Sequence, residues 1–225
     1  MAFSFNPAVD HYPNRAEKLA DGVVHGVAIA AAIVGGAVLL ILAATAGRNG
    51  GGLAAAAGLY ILCLIAMLAC SAAYNLGRSQ TVRPLLRRLD EAAIFLMIAG
   101  SYTPFTTQRF SGAWAWGMTA LVWSVALLGV AGKLLFTRLP EKLWTLVYVA
   151  FGWLVLIAVR PLIQGVPLTA LVLLVAGGLL YTTGTLVFHS ERLPFRRAIW
   201  HGFVVVAAAT HYAAIFTGVV LAAPL

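Results

Sequence analysis

The stretch GVVHGVAIAAAIVGGAVLLILAATA at residues 22–46 runs for 25 residues without Asp, Glu, Lys or Arg. A helix needs about 20 apolar residues to cross the ~30 Å hydrocarbon core of a bilayer, where backbone polar groups find partners only within the helix. The stretch therefore predicts a transmembrane α-helix. Six further apolar runs follow, at residues 53–77, 90–109, 112–132, 142–159, 166–188 and 198–221.

The composition of the whole chain agrees with a membrane protein. Of the 225 residues, 62% are hydrophobic and 10% are charged, compared with about 45–50% and about 25% in soluble proteins. The net charge is +8, but the basic residues form short clusters between apolar runs, which argues against a nucleic-acid partner and favours membrane lipid. We expect an all-α integral membrane protein, with a short cytosolic segment at 1–21 and one seven-helix domain at 22–225. The oligomeric state stays open.

The distribution of Lys and Arg predicts the orientation of the chain. Cytosolic loops carry an excess of these residues, and the predicted connections alternate between many and few of them. One side has only Arg48, Arg109 and Arg160. The other side has Arg15, Lys18, Arg78, Arg83, Arg87, Arg88, Lys133, Arg138, Lys142, Arg192, Arg196 and Arg197. The N-terminus is therefore predicted in the cytosol and the C-terminus outside, in the inner (plasma) membrane of the cell.

Polar residues within the predicted helices share one depth. An ionisable side chain at the bilayer centre costs at least about 2.5 kcal/mol, so each one needs a reason. Because odd-numbered helices begin and even-numbered helices end in the cytosol, four helices are expected to build one polar site in the inner quarter of the bundle. Its members are Glu17, Asp21 and His25 in the first helix, Ser71 and Asn75 in the second, Asp90 in the third and His201 in the seventh.

Simpler interpretations exist for most of these residues. Glu17 is typical of a charge near the start of a helix. Asp21 and Asp90 are suited to be the N-caps of the first and third helices. His25 and His201 lie too deep for capping, and each is also compatible with a packing role in which it bonds to a neighbouring helix.

A resemblance to a known family rests on several motifs. The string LDEAAIFLMIAGSYTPF at residues 89–105 closely resembles the signature of the bacterial hemolysin III proteins, relatives of the progestin and adipoQ receptor family. Residues 17–25, 71–74 and 198–212 resemble three other family motifs in the same order along the chain. The resemblance implies seven helices with a cytosolic N-terminus, in agreement with the charge distribution.

The resemblance also implies a zinc ion near the cytosolic face. In the family pattern, one histidine that ends the second helix and two histidines in the seventh hold the metal, and a serine and an aspartate lie close by. Ser71, Asp90 and His201 match this pattern. Position 75 is Asn and position 197 is Arg, and neither side chain is a good zinc ligand.

Two functions follow from this departure. The first is a metal-free family member with a cytosol-facing polar cavity, which affects lipid or ion homeostasis or membrane integrity; Arg197 then pairs with Asp90 or with a phospholipid head group. The second is a zinc-dependent hydrolase of lipid amides. Its best substitute ligand set is His201, Asp90 and His25, with Asp90 as the base and Ser71 as a hydrogen-bonding neighbour.

A third function, an ion or proton conductor, is suggested by His211 and by the acids of the first helix. His211 lies ten residues beyond His201, about 15 Å along the helix axis, and cannot share a metal with it. The outer half of the bundle offers almost no other ionisable residue to line a path. A retinal photoreceptor is excluded because the last helix has no lysine, and the three lysines are Lys18, Lys133 and Lys142.

Overall fold

The fold is described by a computed structural model that covers residues 11–46, 50–135 and 139–222. These ranges contain helices and turns and no strand. Arg48 and Arg138, which contribute to the predicted orientation, lie outside them. The elements are α1 (Arg15–Ala44), α2 (Gly50–Leu76), α3 (Arg83–Gln108), α4 (Gly112–Leu135), α5 (Glu141–Gly152), a 3₁₀ segment (Trp153–Ala158), α6 (Val159–Gly165), α7 (Leu168–Phe188), α8 (Arg196–Ile215) and a π-helical end (Phe216–Val220).

Two helices begin well before their predicted starts. α1 begins at Arg15 and α3 at Arg83, each seven residues before the expected position. Hydropathy marks only the part of a helix that lies in hydrocarbon, whereas a helix continues into the polar interface, where charged side chains are tolerated. The predicted fifth helix is a composite of α5, the 3₁₀ segment and α6, which are contiguous over 141–165 but break the regular α-helical geometry where the helix type changes.

Six helical stretches of the described chain are long and apolar enough to cross a bilayer: Arg15–Ala44, Gly50–Leu76, Gly112–Leu135, Glu141–Gly165, Leu168–Phe188 and Arg196–Val220. The exception is α3, which mixes charged and polar residues with apolar ones. α3 packs against α2 and α4 and also contacts α5 and α8, and its Phe95 and Ala99 are fully buried. Other helices surround it, so it does not need the apolar surface that lipid requires.

The outer surface of the bundle is strongly apolar. Val34 on α1, Leu128 on α4 and Leu186 on α7 are 67%, 74% and 73% exposed. Exposed apolar surface of this extent is unfavourable in water but favourable against lipid tails. The arrangement supports a multi-pass membrane protein.

Tyr102 of α3 stabilises the break between α5 and the 3₁₀ segment. Its hydroxyl donates a hydrogen bond to the carbonyl of Gly152 at 2.8 Å and accepts one from the main-chain N–H of Val155 at 2.7 Å. A change from α-helical to 3₁₀ geometry leaves main-chain groups without their usual partners. One side chain from α3 satisfies two of them, so the break is fixed by a tertiary contact.

We predict that Tyr102→Phe lowers the free energy of unfolding by roughly 1–3 kcal/mol, because two buried main-chain groups lose their partner. Thermal unfolding of the purified protein in detergent measures the loss. Tyr212→Phe is the matched control, since the Tyr212 hydroxyl bonds only to the Gly35 carbonyl, at 2.8 Å. An equal or larger loss in the control would contradict the role given to Tyr102.

Candidate functional site

Four polar side chains lie together where α1, α2 and α8 meet. This polar cluster consists of Asp21 and His25 from α1, Ser71 from α2 and His201 from α8. Asp21 is fully buried, while His25 and His201 are 3% and 9% exposed. A spacing of four residues places Asp21 and His25 on the same face of α1. That face packs toward α2 and α8, so the side chains of three helices meet.

The hydrogen bonds of the two histidines define their tautomers. His25 Nδ1 lies 2.9 Å from the main-chain oxygen of Asp21, and His201 Nδ1 lies 2.6 Å from Asp21 Oδ1. A main-chain carbonyl oxygen can only accept a hydrogen bond, and so can the oxygen of an ionised carboxylate. Nδ1 therefore carries the hydrogen in each ring. Tyr12 donates its hydroxyl hydrogen to the other carboxylate oxygen, Asp21 Oδ2. In its neutral form, each ring therefore presents the lone pair of Nε2.

Both Nε2 atoms face the hydroxyl of Ser71. Ser71 Oγ lies 3.2 Å from His25 Nε2 and 3.4 Å from His201 Nε2, and the two rings meet edge to face with centroids 4.4 Å apart. A serine hydroxyl has a single hydrogen, so it serves only one of the two lone pairs at a time. The other nitrogen remains available to a proton or a cation.

Asn75 and Arg197, the two residues that depart from the family pattern, bond to each other. Arg197 Nη1 donates to Asn75 Oδ1 at 2.9 Å. This contact orients the amide so that Asn75 Nδ2 donates to the Ser71 carbonyl at 3.0 Å and lies 3.4 Å from Ser71 Oγ. Of the two partners considered for Arg197, Asp90 forms no ion pair with it, because the first turn of α8 directs the guanidinium to the end of α2.

Asp90 approaches the polar cluster from α3. Its side chain lines the same cavity as Ser71 and His201. The three residues able to hold a metal ion are, however, Asp21, His25 and His201, whose ligand atoms all lie within 4.8 Å of one another. Of the predicted ligands His201, Asp90 and His25, the two histidines belong to this set. Within the described chain, the carboxylate of the set is Asp21 in place of Asp90.

Neither Asp21 nor Asp90 caps a helix: α1 is capped by Asn14, and α3 starts after Val82 without a side-chain cap. Asn14 Oδ1 accepts the Glu17 main-chain N–H at 2.9 Å, and Asn14 Nδ2 donates to Glu17 Oε1 at 3.2 Å. This side-chain cap agrees with Glu17 as a helix-start charge. Asp21 and Asp90 lie six and seven residues inside α1 and α3. Their interpretation as N-caps is therefore wrong.

His211 lies deeper in α8, apart from the polar cluster. Its Nε2 donates to the carbonyl of Leu174 at 3.3 Å, and its ring is 5.5 Å from that of Tyr181. Both partners belong to α7. His211 thus bonds to a neighbouring helix.

A cavity of about 870 Å³ runs through the bundle beside the polar cluster. His25, Ser71 and His201 line it, whereas Asp21 lies behind them and does not. The other walls are mainly apolar and reach Leu162 at the opposite end of the fifth stretch. The lining residues Leu156, Ile163, Val172 and Val175 are also 51–62% exposed. The cavity therefore opens sideways between the fifth stretch and α7, toward the apolar outer surface.

A second polar network was not anticipated from the sequence. Lys133 of α4 is 6% exposed, its Nζ lies 2.5 Å from Glu91 Oε2, and it is 4.3 Å from the Trp144 ring centroid. Arg87 joins Glu91 to Glu141. These contacts tie α3, α4 and α5 together at one end of the bundle. From the sequence alone, the basic residues of this network contributed only to the predicted orientation of the chain.

Comparison with known proteins agrees with the resemblance of residues 89–105. The family profile described as Haemolysin-III related matches residues 15–212. The chain belongs to the haemolysin III family. Among its haemolysin III relatives, Hemolysin-3 of Bacillus cereus is 42% identical over 123 residues, which is 55% of this chain and 56% of the relative. The Hemolysin-3 homolog of Bacillus subtilis (strain 168) is 35% identical over 149 residues, or 66% and 70% of the two chains.

The haemolysin III family extends to animal proteins of the progestin and adipoQ receptor type. The Monocyte to macrophage differentiation factor of Homo sapiens is 29% identical over 212 residues, covering 93% of this chain and 88% of the relative. The match to the Bacillus cereus protein spans about half of that protein's length. The comparisons thus establish the family, and activity has to be argued from the site.

Proposed function

We propose that this haemolysin III family protein holds a membrane lipid in its cavity and acts through that lipid on lipid or ion homeostasis or membrane integrity. The single observation that carries the proposal is the junction of the buried polar cluster with a long apolar cavity. A lipid has the same two-part character, with a polar head and an apolar tail. The head would contact Ser71, Asn75 and Arg197, and the tail would follow the apolar walls.

The size and opening of the cavity support a lipid ligand. Its volume of about 870 Å³ falls within the roughly 300–1,000 Å³ typical of small-molecule sites. Its walls include both Glu141, which begins α5, and Ile163 in α6, so it extends for about 30 Å along that stretch. The sideways opening lets a lipid enter from the bilayer without crossing water.

Ile98 lines the cavity, and Ile98→Trp adds bulk to its wall. We predict that this change reduces the lipid that co-purifies with the protein at least about threefold, because closely packed walls cannot move aside for both the indole and the lipid. Native mass spectrometry of the protein in mild detergent measures lipid occupancy. Ile33→Trp adds the same bulk on α1, at a position that is 54% exposed and outside the cavity, and should leave occupancy unchanged. Equal occupancy in a folded Ile98→Trp protein would count against the proposal.

The proposed membrane arrangement is seven spans with the N-terminus in the cytosol, in the plasma membrane. The six apolar stretches and the packing of α3 among them support seven. The alternation of basic residues supports the orientation. An odd number of spans puts the two termini on opposite sides, whereas six would put them on the same side.

We predict that a reporter inserted after Gln80 lies in the cytosol and one inserted after Ser111 lies outside, because α3 crosses the membrane between them. Paired fusions of a fluorescent protein, which folds in the cytosol, and alkaline phosphatase, which is active outside it, read the two sides. A C-terminal fusion should give the same result as the one after Ser111. If both internal insertions report one side, α3 does not span.

The second candidate function is zinc-dependent hydrolysis of a lipid amide. It is favoured by one observation, the proximity of ligand atoms of Asp21, His25 and His201. Imidazole and carboxylate are suitable zinc ligands, and three protein ligands are the usual number at a catalytic site. Zinc supplies Lewis-acid polarisation of a carbonyl oxygen. Asp90 and Ser71 would bind and orient the lipid head group beside it.

For this second function we predict about one zinc ion per chain, lost in His201→Ala and retained in His211→Ala, because only His201 belongs to the ligand set. Elemental mass spectrometry of protein purified without chelators measures the metal. The matched control removes a histidine from the same helix. This function would be ruled out if the wild-type protein contains no zinc and the metal appears only when Asn75 and Arg197 are both changed to His.

A further inference from the structure

Asp21, His201 and Ser71 lie in the order carboxylate, imidazole, hydroxyl. Asp21 Oδ1 is 2.6 Å from His201 Nδ1, and His201 Nε2 is 3.4 Å from Ser71 Oγ. In hydrolases that use this order, the base lies about 2.6–3.2 Å from the nucleophile and often somewhat farther without substrate. The two groups that would react, Ser71 and His201, line the cavity, and Asp21 is buried behind them.

We propose that Ser71 is a catalytic nucleophile that accepts an acyl group from the lipid in the cavity, with His201 as its general base and Asp21 as the positioning residue. This inference rests on the proposed lipid-binding function and adds a metal-free activity to it. The substrate class is a lipid in which a long-chain acyl group is joined to its head by an ester or amide bond. The apolar cavity beside Ser71 holds the acyl chain.

The reaction balances with water as the only co-reactant. Ser71 Oγ forms a bond to the acyl carbon while its proton passes to His201 Nε2. The bond from the acyl carbon to the head-group oxygen or nitrogen then breaks, and the leaving atom takes the proton from His201. Water releases the acyl chain from Ser71 as a fatty acid by the same two steps, again with His201 moving the proton.

The choice of His201 over His25 follows from the partners of their Nδ1 atoms. His25 Nε2 is slightly nearer to Ser71 Oγ, at 3.2 Å against 3.4 Å. The Nδ1–H of His25, however, faces a neutral carbonyl, while that of His201 faces the Asp21 carboxylate. A carboxylate stabilises the imidazolium that forms when the ring takes a proton. His201 is therefore better placed than His25 to act as the base.

Asn75 supplies a donor where negative charge would develop. When Ser71 attacks, the acyl oxygen becomes an oxyanion that needs hydrogen-bond donors. Asn75 Nδ2 donates to the Ser71 carbonyl at 3.0 Å and to Ser71 Oγ at 3.4 Å, and its direction is held by the Arg197 contact to Asn75 Oδ1. On attack, the hydrogen bond to Oγ would pass to the oxyanion that forms beside it. The guanidinium adds a positive charge on the same side. Neither side chain would ligate a metal, yet both fit this role.

The test uses the full chain in lipid nanodiscs and a hexadecyl fluorophosphonate as the probe. An activated serine displaces fluoride and forms a stable bond to phosphorus, and peptide mass spectrometry locates the modified residue. We expect covalent labelling at Ser71. Ser71→Ala should abolish labelling, whereas Ser124→Ala, a control on α4 outside the cavity, should label like the wild-type protein. Thermal unfolding confirms that each variant is folded.

The roles of the other residues give a graded result. Asp21→Asn should slow the labelling step at saturating probe at least about 100-fold, while the probe concentration that gives half the maximal rate stays unchanged. A purely structural loss would move both quantities. His201→Gln should reduce the rate by a similar factor, and His25→Gln by less. A larger effect of His25→Gln would overturn the assignment of His201 as base.

Two outcomes would overturn the assignment of Ser71 as a metal-free nucleophile. One is a folded wild-type protein that is not labelled at Ser71. The other is labelling that is lost with a zinc chelator and restored by zinc, because the reaction would then depend on metal. Native mass spectrometry of bound lipid separates these failures from that of the proposed function. Lipid bound without labelling leaves lipid binding intact, and a protein with neither contradicts both.

Discussion

Lipid hydrocarbon offers no hydrogen-bond partner, so main-chain polar groups within the membrane must find one inside the protein, and a buried charge is stabilised in the same way. Much of this fold follows from that constraint. The Tyr102 hydroxyl satisfies main-chain groups where α5 changes to a 3₁₀ segment. Asp21, which is fully buried, accepts from both Tyr12 and His201. The most polar helix, α3, lies among other helices, and the apolar faces of its neighbours point outward.

The sequence predicts depth in the membrane well and rotation about a helix axis poorly. Apolar length and loop charge assign His25, Ser71 and His201 to one level, and these residues do meet. Asp21 and Asp90 share that level, yet only Asp21 joins the two histidines as a group able to hold a metal. Which carboxylate faces them depends on how α1 and α3 are rotated in the bundle. Packing sets that rotation, and hydropathy carries no information about it.

The positions of Asn75 and Arg197 change what kind of chemistry the site favours. A histidine offers a lone pair to a metal, whereas an amide nitrogen and a guanidinium offer only N–H groups. The two residues bond to each other and to the Ser71 turn of α2. Where the resemblance implies metal ligands, this chain therefore has a connected pair of hydrogen-bond donors. The pair is directed toward Ser71, which has two imidazoles beside it.

The segment before α1 belongs to the site. Tyr12 is 4% exposed, its hydroxyl binds Asp21, and its ring lies 5.6 Å from the Arg197 guanidinium. The adjacent His11 packs edge to face on Tyr74 of α2, with centroids 4.9 Å apart. A shortened protein that starts where hydropathy rises would keep every membrane helix and lose this cover. The Asp21 carboxylate would then be hydrated from the aqueous side, so recombinant versions should retain Tyr12.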